Sequence, residues 1–150
     1  MQKIKSFEVD HTKISEGIYI SRIDNEIVTY DIRMVKPNTP PFLENAGLHT
    51  FEHLFATYVR NSKFGKNIIY VGPMGCRTGF YLLVRNADNQ KVLEITKRIL
   101  ADIIAYDGEV FGASRKECGN YRDLDLEKAK AECRRYLKAL EKEQTFEYKK

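Results

Sequence analysis

The chain has 150 residues, 43% hydrophobic and 31% charged, with 25 Lys and Arg against 21 Asp and Glu for a net charge of +4. That composition excludes a disordered polymer, and so small a charge, spread along the chain, speaks against a nucleic-acid binder. No apolar run reaches the roughly 18 residues of a membrane span. The start, MQKIKSFEVDH, lacks the apolar stretch of a secretion signal, so the expectation is one soluble, cytoplasmic domain without a membrane partner.

In chain order, residues 6–9 read as a short extended piece. Residues 17–21 and 25–35 are rich in Ile, Val and Tyr and predict strands around a polar turn at 23–26. Pro37, Pro40 and Pro41 stop regular structure. Leu48, Phe51, Leu54, Phe55 and Tyr58 recur at helical spacing and predict a helix over 44–61. Strands follow at 67–71 and 78–85, with Gly75 expected at a tight backbone point between them. Helices are predicted over 91–106 and 126–143, the last with Ala129, Cys133, Leu137 and Leu140 inward. The tail from 144 to 150 is polar and expected to fray. Strands joined by turns and interrupted by helices predict a single α+β domain over 1–150, a mostly antiparallel sheet with helices packed on one face.

Three cysteines without an export signal read as thiols, available as metal ligands or as proton-transfer groups. The strongest chemical signal is His49-Thr50-Phe51-Glu52-His53. Residues four apart on a helix lie nearly above one another, so two neutral imidazoles reach one point and suit zinc or ferrous iron. Glu52 falls at the edge of that face, placed to move protons for a substrate on the metal. A catalytic centre asks for a third protein ligand. Cys76, Cys118, a carboxylate and His11 are all candidates by residue type. Cys118 precedes Gly119, and Cys76 lies in GPMGCRTG, a shaped backbone where Arg77 offers a charge that favours the thiolate. Cys133 reads as core. Arg33 reads either as a surface cation or as a carboxylate binder.

Taken in order, SFEVDH, DIRMVKPN, HTFEHLFATYVRN, GPMGCRTGFYL and ECGNYRDLDLEKAK resemble the S-ribosylhomocysteine lyase (LuxS) family, over nearly the whole chain. The resemblance implies a carbon–sulfur lyase that forms homocysteine and 4,5-dihydroxy-2,3-pentanedione, the precursor of autoinducer-2. It implies one divalent metal per subunit on His49, His53 and Cys118, usually ferrous iron, with zinc or cobalt as alternatives. It implies Glu52 and Cys76 as the acid–base pair, and Ser6, His11 and Arg33 as substrate-holding residues. The partners it implies are S-ribosylhomocysteine and a second copy of the chain, in a homodimer with active sites at the interface. Tyr70 and Leu124 depart from the family pattern, where an acidic residue and a histidine are common. The H-x-x-E-H pattern is also an inverted zinc-protease motif, so a small metallopeptidase is the competing enzyme reading. A non-catalytic, metal-stabilised interaction domain is the third.

Overall fold

A computed structural model describes residues 1–149. Four strands, β1 (Gly17–Asp24), β2 (Ile27–Arg33), β3 (Ile68–Pro73) and β4 (Gly79–Arg85), form a fully antiparallel sheet in the order β1-β2-β4-β3. β1 and β2 pair through to Asp24 and Ile27, so β1 runs further than the predicted 17–21, β2 falls inside the predicted 25–35, and a two-residue turn is left between them. Asn25 supplies its left-handed residue (φ 54°). Among the described residues there are also four α-helices, α1 (Lys5–Glu8), α2 (Asn45–Arg60), α3 (Asn89–Ala105) and α4 (Leu126–Ala139), and a short 3-10 turn at Gly65–Asn67.

Alternation sorts the sheet into two faces. Tyr30, Ile32, Phe80, Leu82 and Val84 point toward the helices and are buried. Phe51 of α2 packs on Phe80 of β4 with ring centroids 4.7 Å apart and on Phe55 at 5.3 Å. Ile99, Leu100 and Ile103 of α3 and Ala129, Cys133 and Tyr136 of α4 close the same core. Asp88 and Asp125 cap α3 and α4, each accepting from the backbone N–H three residues on at 3.1 Å. The three long helices, α2, α3 and α4, therefore lie on one face of an α+β fold, as predicted, while Ser6 of the one-turn α1 lies beside Tyr81 on the other.

Three local expectations fail. Residues 6–8 are helical and only Val9 is extended, because Lys5–Glu8 closes one helical turn with Phe7 N–H donating to Ile4 O at 3.0 Å. The last helix stops at Ala139, and its inner stripe carries Tyr136, whose hydroxyl donates to Gly17 O at 2.7 Å, while Leu137 is only half-buried. The tail is not frayed across its described residues. Phe146 is buried and bridges to Tyr19, Gln144 Oε1 accepts from Ile18 N–H at 3.0 Å, and Tyr148 stacks on Tyr19 at 4.9 Å. Two aromatic rings among polar neighbours bury enough area to order a short segment that composition alone assigns to solvent.

Candidate metal centre and thiol site

His49 and His53 leave one face of α2 with their rings at 4.7 Å, edge to face. Each Nδ1 meets a backbone carbonyl, Asp123 O at 2.8 Å and Phe111 O at 2.7 Å. A carbonyl only accepts, so both Nδ1 atoms carry the proton and both Nε2 atoms present lone pairs. Cys118 Sγ lies 3.4 Å from His49 Nε2, and one ligand atom from each of His49, His53 and Cys118 lies within 4.8 Å of the others. Those separations suit donors about 2.0 to 2.3 Å from a single tetrahedral ion. The donor set, the fixed tautomers and the spacing fit a divalent metal. Of the candidates for third ligand, the geometry selects Cys118.

The loop that carries the orienting carbonyls is held at both ends. Buried Lys130 donates to Tyr106 O at 2.8 Å and pairs with Asp107 at 3.3 Å. Thr50 Oγ1 accepts from Asp125 N–H and donates to Ala46 O, each at 2.7 Å. Gly112 has φ +71°, and a Cβ there would stand 3.3 Å from His53 Nδ1. The glycine thus lets the loop close on the imidazole that Phe111 orients. Cys118 itself sits after a turn in which its N–H donates to Ser114 O at 3.0 Å, and it accepts from Asn120 N–H at 3.4 Å. Glu52 opens into a cleft shared with His53, Tyr70, Val71 and Glu117.

Cys76 lies elsewhere, exposed on the β3–β4 connection. The left-handed residue of that turn is Arg77 (φ 61°), not Gly75. The cation electrostatically coupled to Cys76 is Arg33, reached through Thr78. Cys76 Sγ is 3.1 Å from Thr78 Oγ1, and Arg33 Nη1 donates to the same hydroxyl at 2.8 Å. Arg33 is 3% exposed, and its Nε and Nη2 form a fork on Asp31 at 3.0 and 2.7 Å. Burial alone would lower the Arg33 pKa; the Asp31 carboxylate beside it overrides this and raises it. Tyr148 donates to Asp31 Oδ2 at 2.7 Å, and burial followed by the Asp31 charge pushes its own pKa upward.

Ser6 lies beside the Tyr81 hydroxyl, a neighbour of Cys76 and Arg33. His11 joins neither cluster: its half-buried Nδ1 donates to Val9 O at 2.9 Å. Cys133 is core, with burial raising its pKa far above that of a free thiol. Sequence reasoning missed Asp31, Thr50, Thr78, Gly112 and Tyr148. Only Asp31-Ile32-Arg33, two charges on one face of a strand, carried a readable signal.

Among the described residues, no helix is long and apolar enough to cross a membrane. The family model described as S-Ribosylhomocysteinase (LuxS) matches residues 4–147. Similar proteins include the S-ribosylhomocysteine lyase of Borrelia garinii subsp. bavariensis, 45% identical over 99% of this chain and 99% of that one. That of Borreliella burgdorferi (strain ZS7) is 44% identical over 99% of each chain. That of Finegoldia magna is 44% identical over 93% of this chain and 92% of its own.

Proposed function

We propose, from the premise that the chain belongs to the S-ribosylhomocysteinase (LuxS) family, that His49, His53 and Cys118 hold a divalent ion while Glu52 and Cys76 move protons. The activity is that of an S-ribosylhomocysteine lyase, a carbon–sulfur lyase. Ferrous iron is the ion proposed for the cell. The observation that carries the reading is the convergence of two imidazole nitrogens and one sulfur within 4.8 Å, their tautomers fixed from behind.

The chemistry explains the residue types. In the substrate, homocysteine is joined through its sulfur to the fifth carbon of ribose, with no acidic proton beside the leaving group. The sugar carbonyl must therefore migrate from the first carbon to the second and then to the third before elimination is possible. A bound dication supplies Lewis acidity toward the sugar oxygens. Cys76, as thiolate, takes the proton from the carbon beside the carbonyl and returns one to the former carbonyl carbon, while the neighbouring hydroxyl proton passes to the old carbonyl oxygen. Glu52 carries protons at the later carbons and removes that of the fourth. The pair from that C–H bond becomes a carbon–carbon double bond, and the C–S pair departs on sulfur, which is protonated to homocysteine. The remaining fragment becomes 4,5-dihydroxy-2,3-pentanedione.

Ser6, His11 and Arg33 are proposed to hold the substrate. Arg33 already spends three N–H groups on Asp31 and Thr78, so its remaining two are those free for a ligand. A homodimer with the sites at its interface is proposed as well. Ile4, Phe7 and Tyr70, at 59%, 69% and 54% exposure, are apolar side chains that burial against a second copy would take out of water. The comparisons lend the metallopeptidase reading no support.

The test is to incubate the purified protein with S-ribosylhomocysteine and follow free thiol, with metal analysis of the same sample. One homocysteine should appear per substrate consumed. Cys118→Ala should lose both metal and thiol release; retention of both would overturn the ligand assignment.

A further inference from the structure

We propose that Thr78 and Tyr148 are positioning residues for the Cys76 thiolate, acting through one hydrogen-bonded run across the sheet face that α2, α3 and α4 leave open. The inference deepens the reading of Cys76 given above and rests on it. The run is Tyr148–Asp31–Arg33–Thr78–Cys76, with successive contacts of 2.7, 2.7, 2.8 and 3.1 Å.

The direction of each bond follows from chemistry. A guanidinium only donates, so the Thr78 hydroxyl accepts from Arg33. Thr78 is 2% exposed, so its own proton must find an acceptor inside the protein, and Cys76 Sγ stands within reach. A thiolate accepts that proton far better than a thiol, so donation favours the charged sulfur. Thr78 thereby passes on the polarity of a cation that is itself buried and cannot swing to the surface. Asp31 fixes the guanidinium from the other side with a two-point fork. Asp31 accepts in turn from Tyr148, whose ring is clamped on Tyr19 at 4.9 Å. The C-terminal tail is thus the outer anchor of the run.

The other groups around the sulfur do not replace it. Tyr81 of β4 faces Cys76 and Arg33, and its hydroxyl is neutral, raised in pKa first by burial and then by Asp31. Ser6 adds no charge, and Arg77 is exposed. Asp31 opposes Arg33 but lies on its far side, bonded to Nε and Nη2 rather than to Nη1.

The experiment measures the rate of iodoacetamide labelling at Cys76 in the metal-loaded enzyme against pH, by mass spectrometry of the Cys76 peptide. Thr78→Val should raise the labelling midpoint by about one pH unit, slowing labelling at lower pH by up to roughly tenfold. Thr78→Ser, which keeps the hydroxyl, should restore the wild-type midpoint. Tyr148→Phe should raise it by a smaller amount while preserving the ring stack. A purely structural role would change labelling equally at every pH without moving the midpoint.

An unmoved midpoint in Thr78→Val overturns the proposal. If that variant does not fold, an unmoved midpoint in Tyr148→Phe overturns it instead. Labelling does not depend on turnover. Full activity in Cys76→Ala would therefore reject the catalytic reading of the thiol while leaving the labelling result standing.

Discussion

His49 and His53 stand four residues apart on one helix, whereas the contact from Arg33 to Thr78 spans 45 residues and that from Tyr148 to Asp31 spans 117. The proposed metal-ligating pair is organised by helical geometry, and its partners are added by a loop that brings carbonyls and a sulfur to imidazoles already aligned. The thiol cluster has no such local frame. It exists only once β2, β4, the β3–β4 connection and the tail have met. The first is expected to keep its scaffold without an ion, because the helix alone aligns its imidazoles. The second includes a buried ion pair, so damage to it reaches the fold.

Asp31→Ala should sharpen that contrast most. It leaves the Arg33 guanidinium buried without its carboxylate, which costs about 3 to 5 kcal/mol, read as a fall in the denaturant midpoint. Cys118→Ala should leave that midpoint far less changed in the metal-free protein. Equal losses would erase the distinction.

Gly112→Ala probes the metal side. The left-handed backbone costs about 1 kcal/mol, and the crowded His53 ring should loosen its hold on the ion by roughly tenfold or more. Competition with a chelator measures this; an unaltered metal affinity would remove Gly112 from the support of the site.

The smallest effect lies at alkaline pH. Burial, then Asp88, lifts Tyr30 from 10.0 to about 12, and burial raises Tyr136 and Tyr148 in the same direction. A group whose pKa is raised by folding contributes stability below its unfolded value. That contribution is whole below pH 10 and is lost as the pH climbs toward 12. Stability should therefore fall over that window. Tyr30→Phe, on the helix-covered face, and Tyr148→Phe, on the open face, should each flatten part of the fall.

The same contrast explains what could be read from the chain. The α2 stripe and the His49/His53 spacing are periodic, so both were legible as residues. The antiparallel sheet and its helix-covered face followed from alternation and turns. Long-range pairings leave no such periodic trace. Nothing near Thr78 indicates that its hydroxyl meets Arg33, and nothing in EQTFEYKK indicates that Tyr148 will find Asp31. The expected fraying of the tail failed for that reason. Gly75 reads as the tight backbone point, but the left-handed residue of that turn is Arg77, a choice of turn register that composition does not decide.

The most direct test of the account is thiol release from S-ribosylhomocysteine by Cys76→Ala, with metal content measured in the same sample. The account predicts an intact metal complement and turnover reduced about 10²- to 10⁴-fold, the usual contribution of a positioned proton-transfer group. Undiminished turnover with metal in place would contradict it.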